Sequence, residues 1–145
     1  MKRSASAFAA RTVLIDAGPL VAFLDSADAH HVWAVKLLPR LEGRLMTCEA
    51  CLTEAVHLVE NSAPAVERLR ALVERMELAP ALAGDLAAVF ASVVEFAPEM
   101  DLADACLVTL ARSMPGSLVV TTDTRDFSVY RVPFWSPGGL FAKGR

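Results

Sequence analysis

The sequence has little excess charge and no cluster of basic residues. Its 145 residues include 14 Lys and Arg against 17 Asp and Glu, which gives a formal net charge of −3, and no run of three basic residues occurs. Proteins that bind nucleic acid without regard to sequence usually present a strongly basic face. The composition therefore argues against such a face and leaves only local basic contacts.

Cysteine is scarce, and the three cysteines do not form a metal-binding pattern. Cys48 and Cys51 form one C-x-x-C, but no second C-x-x-C and no His pair accompanies them to complete a zinc site. The third, Cys106, makes the number odd. We interpret the cysteines as small buried thiols, which fits a reducing cytosol, and we expect a cytoplasmic protein.

The sequence also lacks a clean apolar run of the length that crosses a membrane. The most apolar stretch, residues 78–96, contains charged residues as well as Pro80 and Gly84. It therefore falls short of the roughly 20 apolar residues that a bilayer requires. Charged residues likewise interrupt the apolar part of an N-terminal segment that imitates a signal peptide, so neither a membrane span nor export is predicted.

The chain has the length of one domain. Residues 1–11 are small, polar and basic without an apolar period, and they predict a flexible N-terminal arm. Residues 12–145 are predicted to form a single domain.

Predicted strands alternate with predicted helices along that domain. The runs T-V-L-I, from Thr12, and S-L-V-V-T-T, from Ser117, are typical of strands buried on both faces. Apolar residues at helical spacing predict helices over residues 20–24, 29–41, 49–60, 64–75, 85–96 and 101–114. Shorter strands are predicted at residues 44–47 and 76–82, and at most one edge strand after residue 128. The alternation predicts an α/β fold with a mainly parallel sheet covered on both faces.

Four acidic residues stand where ordinary surface residues are not expected. Asp16 and Asp123 each follow a predicted buried strand, whereas Glu54 lies in the helical L-T-E-A-V-H-L-V and Asp104 in D-L-A-D-A-C-L-V. Ligands of parallel sheets bind beyond the C-terminal ends of the strands. Carboxylates that converge there repel one another unless they are protonated or bind a cation. Oxygen ligands favour Mg²⁺ or Mn²⁺, so the pattern predicts phosphoester chemistry.

Individual acids and histidines also have structural interpretations. Asp16 could cap the helix that follows it, and Asp101 is better explained as a helix N-cap than as a metal ligand. Asp126 could be a turn residue that binds local backbone amides. We interpret His30 and His31 as surface and packing residues at a helix start rather than as general bases.

Taken in order, these motifs resemble a known family. V-L-I-D-A-G-P-L-V-A-F, L-T-E-A-V-H-L-V, D-L-A-D-A-C-L-V-T-L-A and L-V-V-T-T-D-T-R-D-F lie within residues 12–135. They resemble the motifs of PIN-domain nucleases, and most closely those of the VapC-type toxins of bacterial toxin–antitoxin pairs. The resemblance implies a three-layer α/β/α sandwich with a parallel sheet, and a Mg²⁺- or Mn²⁺-dependent endoribonuclease that uses a metal-activated water.

The resemblance also implies roles for particular residues. Carried over position by position, the catalytic acids are Asp16, Glu54, Asp104 and Asp123. Asp16 and Asp104 would be the principal metal ligands, while Glu54 and Asp123 would bind a second ion or hold water molecules bound to the metal. The supporting residues are Thr122, which could bond a carboxylate or the scissile phosphate, and Asp126. Arg125 and, with less support, Arg112 are the expected substrate contacts, and His57 either contacts the site or packs beside it.

The expected partners are an RNA substrate, a cognate antitoxin protein and a second copy of the chain. An accessible single strand or loop is the expected RNA target. The apolar fraction of 54% indicates an exposed apolar patch, to which the predicted helices over residues 64–75 and 85–96 are expected to contribute. Two other functions stay open. One is a different Mg²⁺-dependent phosphohydrolase, although no D-x-D follows the first strand, and the other is a non-catalytic PIN-like module that binds RNA or protein.

Overall fold

The computed structural model describes residues 12–141, and the predicted arm, residues 1–11, lies outside them. These residues form one six-stranded sheet with the strand order β3-β2-β1-β4-β5-β6. The strands are β1 (Thr12–Ile15), β2 (Arg44–Cys48), β3 (Glu77–Ala79), β4 (Leu118–Val120), β5 (Phe134–Ser136) and β6 (Gly139–Phe141).

Eight α-helices accompany the strands in this part of the chain. They are α1 (Ala17–Leu24), α2 (His31–Leu37), α3 (Glu49–Leu58), α4 (Ala63–Val73), α5 (Ala81–Gly84), α6 (Leu86–Glu95), α7 (Leu102–Ser113) and α8 (Thr124–Tyr130). A short 3-10 turn, Leu38–Arg40, follows α2. None of the helices between residues 12 and 141 combines the length and the apolar character that a membrane span needs.

The sheet is parallel except at one edge. Strand β1 pairs in parallel with β2 and β4, β3 with β2, and β5 with β4, whereas β6 runs antiparallel to β5. The predicted mainly parallel sheet is therefore confirmed. The chain moves outward from β1 to β2 and β3, and then returns to place β4 on the other side of β1. This reversal opens a crevice at the C-terminal ends of β1 and β4.

A hydrophobic core lies on each face of the sheet. Alternate residues of β1 enter opposite cores, Leu14 one core and Val13 and Ile15 the other. Residues of α1, α2 and α4 cover the Val13 side, and residues of α5, α6, α7 and α8 cover the Leu14 side. Helix α3 contributes to both cores, through Cys51 and Ala55. The predicted three-layer α/β/α sandwich is confirmed.

The two helices expected to form one partner surface lie on opposite faces of this sandwich. Helix α4 packs through Leu69 on the Val13 side, and α6 packs through Val89 on the Leu14 side. The outer side of α4 carries an ion-pair network centred on Arg70, whereas α6 exposes large apolar side chains. The expectation of a shared helix pair is wrong because the sheet separates the two helices, and only α6 offers an apolar surface.

The chain after β4 is more regular than its sequence indicates. Residues 124–130 form α8, which no apolar period predicts, and the tail forms two strands instead of at most one. Seven residues with two buried side chains, Phe127 and Tyr130, are too few to show a helical period. The start of α8 is set by Asp123, whose Oδ1 accepts a hydrogen bond from the Asp126 backbone N–H at 2.9 Å.

Helix α1 begins three residues earlier than predicted, because Asp16 itself is its N-cap. Asp16 Oδ1 accepts a hydrogen bond from the Ala17 backbone N–H at 2.7 Å. The next residue, Gly18, lies directly against Thr122, and a Cβ at Gly18 would overlap the Thr122 hydroxyl oxygen. Glycine is therefore required there by the close approach of the β4–α8 loop.

We expect Gly18→Ala to lower the free energy of unfolding by about 1–3 kcal/mol, because the added methyl group must displace Thr122. Urea denaturation of the purified protein measures this change. Gly84→Ala is the matched control, since a Cβ at Gly84 has no atom within 4 Å. The control is expected to be neutral or slightly stabilising. Equal stability of Gly18→Ala and wild type would contradict the contact.

Candidate active site

The predicted acids gather at the crevice formed by the ends of β1 and β4. Asp16 directly follows β1, and Asp104 lies in the first turn of α7. Glu54 lies in the middle of α3. Asp123 comes three residues after β4 ends at Val120, so it follows a loop and not, as expected, the strand itself. Asp16 and Asp123 both contribute charge that raises the pKa values of Glu54 and Asp104, which shows that the four acids share one electrostatic environment.

Asp16 is a buried carboxylate with a nearly complete set of donors. Its Oδ1 accepts hydrogen bonds from the Ala17 backbone N–H at 2.7 Å and from the Cys51 thiol at 3.8 Å, and its Oδ2 accepts one from the Thr121 hydroxyl at 2.8 Å. Burial raises the pKa of Asp16, and the bonds from Thr121 and Ala17 oppose that shift. The donors hold the side chain at a fixed position at the strand end.

Thr121 connects Asp16 to Asp123. Its Oγ1 donates to Asp16 Oδ2 and accepts a hydrogen bond from the Asp123 backbone N–H at 3.0 Å. Thr122 was expected to bond a carboxylate or the scissile phosphate; Thr121 makes the bond to Asp16, while Thr122 faces Gly18. In a T-T pair, side chains alternate between the faces, so the sequence alone does not show which hydroxyl faces the acids.

Asp101 and Asp104 have different roles at the start of α7. Asp101 Oδ1 accepts a hydrogen bond from the Asp104 backbone N–H at 2.8 Å, so Asp101 is the N-cap, as expected. The Asp104 side chain is buried, with 8% of the residue exposed. Burial, followed by the charges of Asp16 and Asp101, raises the pKa of Asp104 to about 8. Burial and the neighbouring charges thus disfavour the charged form of the Asp104 carboxyl group.

Tyr130, the last residue of α8, contacts Asp104 and was not among the predicted site residues. Its hydroxyl donates a hydrogen bond to Asp104 Oδ2 at 2.8 Å, and this bond lowers the pKa of Asp104. The ring is buried edge-on against Phe96 and Phe127, at centroid distances of 5.2 and 5.1 Å. The only signal in the sequence is that Tyr130 is the sole tyrosine.

Glu54 faces an open cavity of about 650 Å³ beside the acids. Asp101 and His57 also line this cavity. Burial, followed by the charge of Asp16, raises the pKa of Glu54 to about 7. Of the four predicted catalytic acids, Glu54 is the one that lines the cavity, and His57 lies on the same wall.

Asp126 and Arg125 lie in the first turn of α8, next to Asp123. Burial and a hydrogen bond with Asp123 raise the pKa of Asp126, and the positive charge of Arg125 opposes that shift. Arg125 is exposed, so its side chain is free to reach a ligand at the edge of the site. Both residues are brought to the acids, as expected from the T-D-T-R-D-F motif.

Arg112, the other predicted substrate contact, is not brought to the acids. It follows Asp104 by eight residues on α7, which separates them by about 12 Å along the helix axis. Its guanidinium bonds Glu95 Oε2 at 3.3 Å and stacks 5.7 Å from the centre of the Phe96 ring. These contacts give Arg112 a role in joining α7 to α6.

The histidines at the start of α2 have packing roles, as interpreted. The Nδ1–H of His31 donates a hydrogen bond to the Ala22 carbonyl oxygen at 2.7 Å, which ties α2 to α1. His30 precedes the first residue of α2 as its N-cap position. Both residues lie beyond the C-terminal half of α1, away from the crevice where α1 begins.

The acids fit a hard divalent cation by their chemistry. Between residues 12 and 141, no three His, Cys, Asp or Glu side chains form a closed group that could hold a metal ion. Mg²⁺, however, commonly binds through one or two carboxylates and keeps several water ligands. The raised pKa values of Asp16, Glu54 and Asp104 come from burial and mutual repulsion, which a cation relieves.

The fold is shared with solved structures of bacterial toxins. No protein-family model matches the chain, and comparison with curated proteins finds no similar sequence. VapC20 of Mycobacterium tuberculosis, described as a sarcin–ricin loop cleaving toxin, is 17% identical with a TM-score of 0.66, over 74% of this chain and 86% of that one. A toxin–antitoxin complex from Klebsiella pneumoniae is 16% identical with a TM-score of 0.60, over 79% of this chain and 89% of that one.

A third similar structure is VapBC2 from Rickettsia felis, bound to a DNA fragment from its promoter. It is 13% identical with a TM-score of 0.59, over 86% of this chain and 99% of that one. At these identities the similarity concerns the fold. The chain has the PIN-like α/β fold of the VapC toxin structures, which confirms the expected fold.

In the metal-free protein, we expect the free energy of unfolding to fall as the pH rises from about 5.5 to about 8. Asp104 has a folded pKa of about 8, above the ordinary value of 3.8, so between these values the folded state keeps a proton that the unfolded state releases. Stability is therefore highest at the acidic end of the window, and the loss attributable to Asp104 is about 2–3 kcal/mol. Urea denaturation in the presence of a chelator measures it.

Two variants test the origin of that pH dependence. Asp104→Asn removes the titrating group and should flatten the curve. Tyr130→Phe removes a hydrogen bond that lowers the pKa of Asp104, so the decline should extend to higher pH, with about 1 kcal/mol lost from the broken bond. A curve that rises with pH, or that keeps its full slope in Asp104→Asn, would refute the assignment.

Proposed function

We propose that this protein is a divalent-metal-dependent endoribonuclease and the toxin component of a type II toxin–antitoxin pair, acting in the cytoplasm. The carrying observation is that Asp16 and Asp104, both buried, occur with Glu54 and Asp123 in one electrostatic environment at the C-terminal crevice of the sheet. The fold shared with VapC toxins supports the proposal, since one of those toxins is described as a sarcin–ricin loop cleaving toxin.

In this proposal, two of the acids bind the metal ion directly and the other two assist them. Asp16 and Asp104 hold the Mg²⁺ ion, for which Mn²⁺ can substitute, and Glu54 and Asp123 complete the donor set or hold water beside it. When bound, the ion supplies polarisation of the scissile phosphodiester and activation of water. Glu54, on the open side of the site, accepts the proton of the attacking water at its carboxylate.

The other residues fix the positions of the acids. Thr121 holds Asp16 Oδ2 and the Asp123 backbone, and Tyr130 holds Asp104 Oδ2. Each bond leaves one carboxylate oxygen with a defined orientation. The hydroxyl groups orient the acids without taking part in the chemistry.

The substrate in this proposal is an accessible strand of RNA. The chain has a net charge of −3 and the site itself is acidic, so RNA is held by a few local cations, among them Arg125 beside Asp126. Because few phosphates are neutralised, binding should depend weakly on salt. A loop or single strand exposes its backbone to the crevice more readily than an A-form duplex.

The alternative functions account for less of the structure. A haloacid-dehalogenase-like phosphohydrolase needs a second acid two residues after the first, where this chain has Gly18 against Thr122. A non-catalytic binding module has no need to bury Asp16 and Asp104 together, at a cost that their raised pKa values reflect.

The proposed partners are a cognate antitoxin and a second copy of the chain. The similar structures that are toxin–antitoxin complexes support the first. For the second, α6 exposes the apolar side chains of Leu86, Phe90 and Val94, with exposed fractions of 58%, 53% and 76%. Spaced four residues apart, they form one stripe along the helix, which fits a self-complementary contact.

We expect metal-free protein to cleave single-stranded or stem-loop RNA only after Mg²⁺ or Mn²⁺ is added. Asp16→Asn and Asp104→Asn should each lower the cleavage rate by about 100-fold or more, because each removes a charged ligand while keeping its size. Electrophoresis of end-labelled RNA measures the rates. Asp28→Asn is the matched control, since Asp28 bonds the His30 backbone N–H beyond the far end of α1. No metal-dependent cleavage by wild type, or full activity of either site variant, would defeat the proposal.

If α6 forms the dimer contact, Phe90→Glu should convert a dimer to a monomer, because it places a charge in the centre of the apolar stripe. Light scattering after size-exclusion chromatography measures the molecular mass. Val32→Glu is the control, since Val32 is exposed to a similar extent as Phe90, 63% against 53%, but lies on α2. A wild-type monomer, or a dimer that survives Phe90→Glu, would rule out this contact.

A further inference from the structure

The two cysteines at the start of α3 have the geometry of an oxidisable dithiol. Cys48 is the N-cap of the ten-residue helix α3, and Cys51 lies in its first turn. Their Sγ atoms are 3.5 Å apart, with both thiols free. A disulfide requires about 2.05 Å between the sulfur atoms, so they need to approach by only about 1.5 Å.

The position of Cys48 favours its thiolate. Contact with the Cys51 sulfur, followed by hydrogen bonds from the backbone N–H groups of Cys51 and Ala50, lowers the pKa of Cys48, and burial opposes this shift. The N-terminus of a helix adds its partial positive charge.

Cys48 lines a cavity and Cys51 does not, although both residues are buried, with exposed fractions of 1% and 0%. Cys48 forms part of the wall of the 650 Å³ cavity beside Glu54, together with Ala50, Thr53 and Ala81. Cys51 lies behind this wall, with its sulfur between Cys48 and Asp16. The cavity is far larger than hydrogen peroxide, so an oxidant in the cavity approaches the pair from the Cys48 side.

We propose that Cys48 and Cys51 form a reversible disulfide on reaction with hydrogen peroxide. The Cys48 thiolate attacks one peroxide oxygen, the O–O bond breaks, and the other oxygen leaves as water after taking a proton. The sulfur of Cys51 then displaces the hydroxyl group from Cys48, and the proton of Cys51 leaves with it as a second water. Two thiols lose two electrons in total, and one peroxide becomes two waters. A dithiol reductant reverses the reaction.

This chemistry is independent of the proposed function, because it is read without RNA. The disulfide would nevertheless affect one particular residue of the site, Asp16. The Cys51 thiol donates a hydrogen bond to Asp16 Oδ1, and a disulfide sulfur has no proton to donate. Oxidation therefore removes one of the donors that hold Asp16.

The test uses the reduced, folded chain, treated with hydrogen peroxide, quenched, unfolded and alkylated. Trypsin places Cys48 and Cys51 in the peptide of residues 45–68 and Cys106 in that of residues 76–112. We expect peptide 45–68 to escape alkylation and to be lighter than its reduced form by two hydrogen atoms, while Cys106 is alkylated. Dithiothreitol should restore alkylation of all three cysteines.

Two variants identify the roles of the thiols. In Cys51→Ala, the sulfenic acid on Cys48 should persist and be trapped by dimedone, whereas Cys106→Ala should form the disulfide as wild type does. Circular dichroism checks that each variant is folded, and the wild-type peptide map decides the question if one is not. Full alkylation of folded wild type after peroxide, or a cross-link between peptides 45–68 and 76–112, would overturn the proposal.

Discussion

The hydrogen bond from Thr121 to Asp16 is the constraint on which the site depends. It joins residues 105 positions apart in the chain, at the ends of the neighbouring strands β1 and β4. A buried carboxylate without donors costs several kcal/mol, so Asp16 is tolerated only because Thr121, Ala17 and Cys51 surround it. The same hydroxyl accepts from the Asp123 backbone, which fixes the start of α8. The parallel pairing of two strands thus determines where Asp16 and Asp123 lie.

The acids oppose the stability of the fold that holds them. Asp104 and Glu54 have pKa values raised to about 8 and 7 by burial and by the charges of neighbouring acids, so near neutral pH part of the folding free energy is lost in ionising them. A bound cation would restore that free energy of folding, because it binds the folded state and not the unfolded state. The arrangement is expected where a charge is to be bound, since neutral side chains would pack at the same positions without this cost.

The sequence predicts the sheet and its acids well because these depend on local signals. Buried strands appear as uninterrupted apolar runs, and an acid at the end of such a run is visible without any structure. Contacts between distant segments give no such signal. The choice of Thr121 over Thr122 depends on the path of a three-residue loop, and the remoteness of Arg112 depends on the direction of α7. The Cys48–Cys51 pair is visible as C-x-x-C, but the cavity beside Cys48 depends on the packing of α3, α5 and α7.

The four acids identify the site in the sequence, whereas Tyr130 completes it in the structure. A fragment that ended soon after Asp123 would contain all four predicted acids in their correct order, and a motif comparison would rate it as intact. It would still lack the hydroxyl that orients Asp104, together with the aromatic packing of Phe127 and Tyr130 on which α8 rests. Conversely, sequence drift in α8 can impair the site while every acid is retained. Judging whether a related chain is active therefore requires examining this helix as well as the acids.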